Sequence, residues 1–506
     1  MTDGVREVPD WLTRLRDCGA LALRRGDEDV SYAQLYSRAS ALAALLLARG
    51  VRPGDRVAVL ARDARVFAAA LHALRFARAV MVPVNVRLTP GEIAWQMDRA
   101  DVRFAVCDAS HKALWDATGR ANPVLALSGD EWRDGAGVPD GAAGVLEPTQ
   151  ARALEQSMER VDMADVQSIV FTSGTTGHPK GARITYANHV FGAAASAFRL
   201  GVLPGDRWLT PLPLFHVGGQ AVLMRSVIYG SAAVIHDAFD PAVVNHAIDH
   251  DGISLVSVVP NMLARMLRER GDRPYPAALR CVLLGGGAAP APLVDECLRR
   301  GVPIAATYGL TEANSQVTTL APADARRKAG SSGRPLAFSE VRIAGPEGTP
   351  APPLAEGEIM VRGLTVADGY DRNAEGTAAA FRDGWLFTGD IGYLDAEGFL
   401  FVLDRRTDLI VSGGENVYPA EVEAALLAHP DVLEAGVVGV PDEQYGQAPL
   451  AVVRLREGCA VELDLAAFCR ARLAAYKAPR HVRVAHGPLP RNAAGKLMRQ
   501  ELRGLL

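Results

Sequence analysis

The sequence predicts an α/β protein: a large N-terminal domain of two parallel-sheet α/β layers that carries a small β-rich subdomain, followed by a small α+β domain. Three observations lead to this prediction. At 506 residues the chain is too long for one core. Strand-like runs alternate with helix-like segments through most of the first 340 residues, which is typical of parallel sheets flanked by helices. Beyond that point the pattern changes twice, so the N-terminal domain is predicted at 1–403, with its β-rich subdomain at about 330–403, and the C-terminal domain at 404–506.

The first predicted helix has recognisable start and stop signals in the sequence. Ser31-Tyr32-Ala33-Gln34 fits a capping box, and Gly50 is the predicted C′ residue. The segment 51–56 is a predicted turn that leads into a strand at 57–60. A similar turn sequence occurs at 201–207, before another predicted strand. Further strands are predicted at 79–86, 168–171, 255–259, 281–284 and 304–307. The segment 118–165, rich in Gly, Ala, Asp and Pro, is predicted to be a surface connection.

Composition and charge exclude several classes of protein. A net charge of −4 and a pI near 6.3 give no electrostatic case for binding nucleic acid or an anionic membrane. No apolar run is long enough to span a bilayer, and the N-terminus has no apolar signal core, so a cytoplasmic protein is expected. Six scattered cysteines without a CxxC pair suggest neither a zinc site nor disulfides.

The densest cluster of polar groups follows the predicted strand at 168–171. Here three glycines, four hydroxyls and a lysine fall within ten positions, Thr172-Ser173-Gly174-Thr175-Thr176-Gly177-His178-Pro179-Lys180-Gly181. Glycines let backbone N–H groups point at one concave spot, and the hydroxyls and the ammonium add donors. The string predicts a phosphate-binding loop. It is not a Walker loop, because Gly181 follows Lys180.

Two more motifs follow predicted strands. Gly285-Gly286-Gly287-Ala288 would let a flat ligand approach the backbone closely. Tyr308-Gly309-Leu310-Thr311-Glu312 offers an aromatic face for a purine, a hydroxyl for a phosphate and a carboxylate for Mg²⁺.

Three motifs lie nearer the C-terminus. Trp385-Leu386-Phe387-Thr388-Gly389-Asp390 ends in a carboxylate that could accept two ribose hydroxyls. The segment 404–419 includes Arg405, Thr407 and a Ser-Gly-Gly-Glu-Asn string, and Leu489-Pro490-Arg491-Asn492-Ala493-Ala494-Gly495-Lys496 presents a lysine on a glycine-containing loop.

Together these strings resemble the signatures of the adenylate-forming enzymes, which include acyl-CoA synthetases, luciferases and peptide-synthetase adenylation domains. The resemblance runs from about Val30 to Arg499. It implies that ATP is bound by the loop at 172–180 and by the segments at Gly286, Gly287, Ala288 and Gly309. Further roles follow in the same way: Tyr308 on adenine, Thr311 on the α-phosphate, Glu312 supporting Mg²⁺, Asp390 and Arg405 at the ribose, and Lys496 as the adenylation lysine.

The resemblance also implies a mobile C-terminal domain that rotates about a hinge aligned with Thr407. After rotation, Gly413 and Gly414 would shape a tunnel for the thiol of CoA. The hinge position in the family is commonly Asp or Lys, so Thr407 departs from the pattern, and a charge-based account of the hinge does not apply here.

The acid substrate is expected near Pro211-Leu212-Pro213-Leu214-Phe215-His216-Val217-Gly218-Gly219, together with Gly285 and Gly309. Phe215 and His216 would flank the carboxylate; the alternative is core packing. Around this segment the chain looks most like o-succinylbenzoate–CoA ligases, and Arg225 is either the partner of that acid's second carboxylate or a solvated helix arginine. Those ligases usually carry Ser where this chain has Gly218, so bulky aryl, fatty or terpenoid acids stay open.

The implied reaction is ATP-dependent ligation of a carboxylic acid to CoA through an acyl-adenylate, with ATP, Mg²⁺ and CoA and without nucleic acid or membrane partners. A carboxylate needs no general base, so Thr172, Lys180, Glu312 and Lys496 would act by positioning and charge stabilisation. Alternatives are an enzyme that loads a carrier protein, a luciferase-like oxygenase and a nucleotide-binding regulator without activity. A homodimer is compatible with the sequence.

Overall fold

The computed structural model describes residues 6–128, 146–172, 179–287, 289, 291–345, 349–404, 409–456, 463–490 and 497–505. Its α-helices are α1 (Tyr32–Ala48), α2 (Ala64–Phe76), α3 (Pro90–Arg99), α4 (Lys112–Asp116), α5 (Pro148–Glu159), α6 (Tyr186–Leu200), α7 (Val217–Tyr229), α8 (Pro241–His250), α9 (Pro260–Arg270), α10 (Ala291–Arg299), α11 (Ala374–Ala380), α12 (Pro419–Leu427), α13 (Leu465–Arg470) and α14 (Arg499–Leu502).

The strands up to residue 258 are β1 (Glu7–Pro9), β2 (Leu21–Arg25), β3 (Glu28–Ser31), β4 (Arg56–Leu60), β5 (Val80–Pro83), β6 (Phe104–Asp108), β7 (Val124–Leu127), β8 (Arg160–Asp162), β9 (Val166–Thr172), β10 (Lys180–Thr185), β11 (Arg207–Thr210), β12 (Ala232–Ile235) and β13 (Leu255–Val258). The later strands are β14 (Cys281–Leu284), β15 (Ile304–Tyr308), β16 (Thr318–Thr319), β17 (Arg334–Pro335), β18 (Ser339–Ala344), β19 (Gly357–Gly363), β20 (Phe381–Arg382), β21 (Trp385–Leu394), β22 (Leu400–Asp404), β23 (Ile410–Ser412), β24 (Glu415–Val417), β25 (Val432–Asp442), β26 (Gly446–Leu455) and β27 (His481–Val484).

Two large sheets form the N-terminal part, and the predicted fold class is confirmed. One has the strand order β10-β9-β5-β4-β6-β7, with only β10 antiparallel to its neighbour. The other has the order β17-β16-β15-β14-β13-β11-β12-β2-β3, parallel from β15 to β2 and antiparallel at its edges. Helix α2 is buried along its length in the cluster of apolar side chains between these sheets. Because the helix is enclosed on both sides, its polar side chains Arg65, His72 and Arg75 are buried as well.

The predicted helix start is also confirmed in detail. The Ser31 hydroxyl accepts from the Gln34 backbone N–H, and the Gln34 side chain accepts from the Ser31 N–H, which closes the capping box of α1. Gly50 adopts φ +93° just beyond that helix, as a C′ glycine does. The surface connection predicted for 118–165 is wrong in part, because β7, α5 and β8 lie within it.

The β-rich subdomain is an antiparallel sheet of order β18-β19-β21-β20, with β22 also on β21. A separate mixed sheet, β24-β23-β26-β25 with β27 parallel to β26, holds the C-terminal part, which we call the C-terminal block (residues 409–505). No helix in the described ranges is long and apolar enough to cross a membrane.

Candidate active site

A cavity of about 860 Å³ opens beyond the carboxyl ends of the parallel strands of the larger sheet. Loops after β13, β14 and β15 and the start of α7 form one wall, and residues of the C-terminal block face them. The lining side chains divide this cavity into a phosphate end, an acid end and a face from the C-terminal block.

Thr172 and Lys180 form the base of the predicted phosphate loop. They are directly paired across β9 and β10, so the loop closes an antiparallel hairpin rather than a strand-to-helix turn. The Thr172 hydroxyl donates to the Lys180 carbonyl at 3.3 Å, and Thr172 lines the cavity. This pairing fixes where the loop begins and ends.

Glu312 and Lys180 meet at one aromatic ring that sequence reasoning missed. The Tyr370 hydroxyl donates to Glu312 Oε1 at 2.8 Å, and Lys180 Nζ lies 5.2 Å from the centroid of the Tyr370 ring. Tyr370 therefore sets the position of a carboxylate and of a cation at the phosphate end. No feature of the Gly-Tyr-Asp string at 369–371 signalled this role.

Asp390 is buried at the cavity wall, as a ribose ligand would require, and Tyr308 orients it. The Tyr308 hydroxyl donates to Asp390 Oδ2 at 2.7 Å. Tyr308 itself is buried among the apolar side chains of a core cluster and is not among the described residues that line the cavity. The stacking of Tyr308 on adenine stays a prediction. The observed hydrogen bond indicates that Tyr308 orients the Asp390 carboxylate.

The glycine segments bring backbone close to the cavity because side chains would not fit. A Cβ on Gly309 would lie 1.5 Å from the Ser315 carbonyl oxygen. Gly286 adopts φ +77°, and a Cβ there would lie 2.9 Å from Val259 Cγ1. Gly285, Gly286, Gly309 and Thr311 all line the cavity, whereas Gly287 is described but is not part of that lining.

The acid end contains a buried cation. Arg225 is 3% exposed, so the alternative of a solvated helix arginine is wrong. Its guanidinium lies 5.4 Å from the centroid of the Trp208 ring, and no carboxylate of the described residues forms an ion pair with it. Burial lowers the pKa of this guanidinium, which nevertheless stays a cation at neutral pH. A buried charge of this kind needs an anion, and the cavity is where one can enter.

Gly218 and His216 also line the acid end, but Phe215 does not. Phe215 is buried and packs against the His216 ring at 4.6 Å between centroids, which supports the core-packing alternative for Phe215. A Cβ on Gly218 would meet only Leu212 Cδ1, at 3.6 Å, whereas one on Gly219 would lie 2.5 Å from the Pro213 carbonyl oxygen. Gly219 is thus sterically required and Gly218 is not.

The C-terminal block inserts a hairpin tip into the cavity. Gly413 and Gly414 join β23 to β24 as a two-residue turn, and both have positive φ, +61° and +86°. This is the geometry that favours glycine in tight hairpins. Both glycines line the cavity, and a Cβ on Gly414 would come within 4.0 Å of Val259 and Met262.

Glu415, directly after this tip, contacts three residues of the N-terminal part. Its carboxylate lies 2.9 Å from His216 Nε2, accepts from Arg87 Nη1 at 3.0 Å and accepts from Asn85 Nδ2 at 3.3 Å. Burial alone would raise the pKa of the Glu415 carboxyl, but His216 and Arg87 outweigh it and hold the pKa below its usual value. Sequence reasoning quoted Glu415 without a role and missed Arg87 and Asn85.

Several predicted site residues lie outside the described residues. They are Ser173, Gly174, Thr175, Thr176, Gly177, Ala288, Arg405, Thr407 and Lys496.

The site suits Mg²⁺ carried on a nucleotide better than a metal held by protein alone. No group of three or more His, Cys, Asp or Glu side chains among the described residues could hold a metal ion. Glu312 is one carboxylate at the phosphate end, and Mg²⁺ bound with phosphates typically takes only one or two carboxylates. Glu312 would therefore hold the ion against phosphate oxygens and help it neutralise their charge.

Family models match both the N-terminal and the C-terminal parts of the chain. The AMP-binding enzyme model matches residues 13–371, and the model of the AMP-binding enzyme C-terminal domain matches residues 421–496. The chain belongs to the AMP-binding enzyme family. The predicted family and the predicted class of enzyme, an AMP-forming acid–thiol ligase that uses ATP, Mg²⁺ and CoA, are confirmed.

Individual relatives match over nearly the full length. The chain is 45% identical over 503 residues to a 2-succinylbenzoate–CoA ligase of Geobacillus kaustophilus, covering 99% of this chain and 98% of that protein. It is 39% identical to an o-succinylbenzoate CoA synthetase double mutant of Bacillus subtilis bound with the product analogue OSB-NCoA, with a TM-score of 0.88 and 98% of both chains covered. For the same Bacillus subtilis enzyme with the acyl-adenylate OSB-AMP, the identity is 37%, the TM-score 0.72 and the coverage again 98% of both chains.

Proposed function

We propose that this chain is a 2-succinylbenzoate–CoA ligase. The single observation that carries the choice of acid is Arg225, a buried guanidinium that faces the acid end of the cavity without an ion pair to a described carboxylate. A dicarboxylate that presents one carboxylate for activation can place the other on this cation. The 45% identity to a ligase of that name supports the same choice.

In the first half-reaction the substrate carboxylate attacks the α-phosphorus of ATP, forming an acyl-adenylate and releasing pyrophosphate. We assign Thr172, Thr311 and Lys180 to stabilising the transferring phosphates, and Asp390 to accepting from the ribose hydroxyls. We assign Lys496 to the bridge between carboxylate and α-phosphate. Ser173, Gly174, Thr175, Thr176 and Gly177 complete the phosphate loop, and Ala288 and Arg405 complete the nucleotide site.

In the second half-reaction the CoA thiol attacks the adenylate carbonyl, forming the thioester and releasing AMP and a proton. The tip at Gly413 and Gly414 lies in the cavity, as a thiol tunnel would require. The described anchors of the lysine loop, Leu489 and Leu497, instead lie near Gly436 of β25, on the C-terminal sheet. These positions of the tip, Leu489 and Leu497 support assigning this arrangement to thioester formation.

The two Bacillus subtilis comparisons support this interpretation. The TM-score is 0.88 with the product-analogue complex and 0.72 with the acyl-adenylate complex of one enzyme at nearly the same identity. A difference in the placement of a C-terminal domain would account for such a gap. We therefore infer that residues 404–506 form a domain that rotates about Thr407 between the half-reactions.

We further propose a cellular location and an oligomeric state for the enzyme. The enzyme acts in the cytoplasm, where its cosubstrates ATP and CoA are found. It forms a homodimer, supported by an exposed aromatic pair, Phe198 and Phe338, at 73% and 40% exposure. Light scattering on a chromatography column would test the dimer, and a monomer mass would reject it.

The test of the function is thioester formation, followed by mass spectrometry, with ATP, Mg²⁺, CoA and a panel of acids. The panel contains 2-succinylbenzoate, benzoate, a fatty acid and a polycyclic terpenoid acid. A strong preference for 2-succinylbenzoate is expected. Preference for a bulky monoacid would reject the proposed acid and indicate that Gly218 marks a remodelled pocket.

A further inference from the structure

Lys477 is a buried lysine at the junction between the N-terminal part and the C-terminal block. It is 3% exposed, although lysine is rarely buried without a partner. Its Nζ donates to Glu92 Oε1 at 2.7 Å and to Glu421 Oε1 at 2.7 Å. Glu92 lies on α3 and Glu421 on α12, so one ammonium joins elements that are more than 300 residues apart.

Contacts within the N-terminal part hold the Glu92 carboxylate in place independently of Lys477. Its second oxygen, Oε2, accepts from the Thr89 backbone N–H and from the Thr89 hydroxyl, both at 2.8 Å, which forms the capping box of α3. The lysine therefore meets a carboxylate whose position is set within the N-terminal part. Glu421, by contrast, lies in the same block as Lys477 and can accompany it in any domain arrangement.

The neighbours of Lys477 in sequence form a wall of the cavity. Ala475, Tyr476 and Ala478 line the cavity, and the Tyr476 hydroxyl accepts from Asn85 Nδ2 at 3.3 Å. Ala474 belongs to an apolar cluster whose other buried members come from the N-terminal part. The segment 474–478 thus docks on the N-terminal part, and Lys477 is its charged anchor.

We propose that Lys477 is a positioning residue for thioester formation, because its ion pair with Glu92 holds the C-terminal block where the hairpin tip and Tyr476 shape the cavity. This inference rests on the proposed function, since it assigns the pair to one half-reaction. The pair exists only while the block is docked in this way. Lys477→Met leaves the Glu92 carboxylate buried without its cation, whereas Glu92→Gln removes the charged contact to the N-terminal part and Lys477 keeps its pair with Glu421. Both changes therefore penalise this docked arrangement selectively.

The test uses the variants Glu92→Gln and Lys477→Met in the full-length enzyme, with each half-reaction measured separately. Adenylation is followed by ATP–pyrophosphate exchange with 2-succinylbenzoate, and thioester formation by single turnover of the isolated acyl-adenylate with CoA. Exchange should stay within about twofold of the unmodified enzyme, while thioester formation falls roughly 10- to 100-fold. Glu155→Gln, at an exposed position of α5, is the matched control and should change neither rate.

Further outcomes decide between a positioning role and a merely structural one. The double variant should be no slower than Lys477→Met alone, because both changes remove the same pair. Equal losses in both half-reactions, or no loss in thioester formation with Glu92→Gln, would overturn the proposal. If Lys477→Met does not fold, the near-isosteric variant Glu92→Gln still distinguishes a positioning role from a structural one. Absence of any thioester with the unmodified enzyme would instead reject the proposed function.

Discussion

Arg225 is the residue on which the choice of substrate depends. It is a buried cation over the Trp208 indole at the acid end of the cavity, and a second substrate carboxylate would supply its counter-charge. Charge-assisted hydrogen bonds to guanidinium are among the stronger polar contacts in proteins. Two acids that differ only in the second carboxylate therefore test this contact.

Arg225→Met should lower kcat/KM for 2-succinylbenzoate by about 100-fold, which corresponds to the loss of one charged contact of ~2–3 kcal/mol. Activity with 4-oxo-4-phenylbutyrate, which has the same skeleton without the ring carboxylate, should change little. Steady-state kinetics with both acids measure the difference. Equal losses with the two acids would show that Arg225 supports the fold rather than the ring carboxylate.

Gly218→Ser should fold normally, because the new Cβ meets only Leu212 Cδ1 at an ordinary 3.6 Å. The added hydroxyl narrows the pocket and offers a donor, so preference should shift towards small polar acids. Gly219→Ala is the contrasting variant, since its Cβ would overlap the Pro213 carbonyl oxygen. Its melting temperature should be several degrees below that of the unmodified protein. Melting temperatures of the two variants check the predicted stabilities, and the acid panel checks the predicted preference of Gly218→Ser. A lower melting temperature for Gly218→Ser would contradict the conclusion that this position has room for a side chain.

At the scale of elements, the sequence was most informative where local chemistry decides the structure. The capping box at Ser31 and the strand at 281–284 follow from hydrogen-bonding groups and apolar runs within a few residues, and both are confirmed. Helix α5 was missed because the polar stretch around it resembles a connection, while Leu154 and Met158 bury its one apolar stripe. Contacts such as Tyr370 to Glu312 or Arg87 to Glu415 join distant segments, and no local pattern encodes them.

Substitutions in the hairpin tip and in the lysine loop should each impair a different half-reaction. Gly414→Leu should abolish thioester formation and spare adenylation, because φ +86° is strained for leucine and the side chain would enter the cavity. Lys496→Ala should do the reverse, abolishing adenylation while sparing thioester formation from supplied adenylate. Gly398→Leu, at a similar φ of +79° with no neighbouring atoms within 4 Å, controls for backbone strain. Losses of the same size in both half-reactions for either site variant would contradict the division of roles.

At the scale of the whole molecule, two buried histidines tie stability to pH. Burial lowers the pKa of His72 to about 4 and that of His189 to about 3, below the ordinary value near 6.5. His189 Nε2 lies 3.0 Å from Gln167 Oε1, and both histidines belong to the helices that cover the sheets. The native state keeps these rings neutral where the unfolded chain would already bind protons.

Stability should therefore fall as the pH is lowered from about 6.5 to 4, since the unfolded chain binds the extra protons in this window. His72 alone contributes on the order of 3 kcal/mol to that loss. His72→Leu should show a shallower decline in melting temperature over the same range. An identical slope for the variant and the unmodified protein would refute the contribution of this ring.

One measurement tests the central claim, that a single cavity carries both half-reactions in sequence. The enzyme is mixed with ATP, Mg²⁺ and 2-succinylbenzoate without CoA, freed of excess nucleotide, and then given CoA alone. We predict that bound acyl-adenylate accumulates to about one equivalent per site and is converted to the CoA thioester and AMP when CoA is added. Thioester formation without an adenylate, or release of ADP and phosphate in place of AMP and pyrophosphate, would contradict the account.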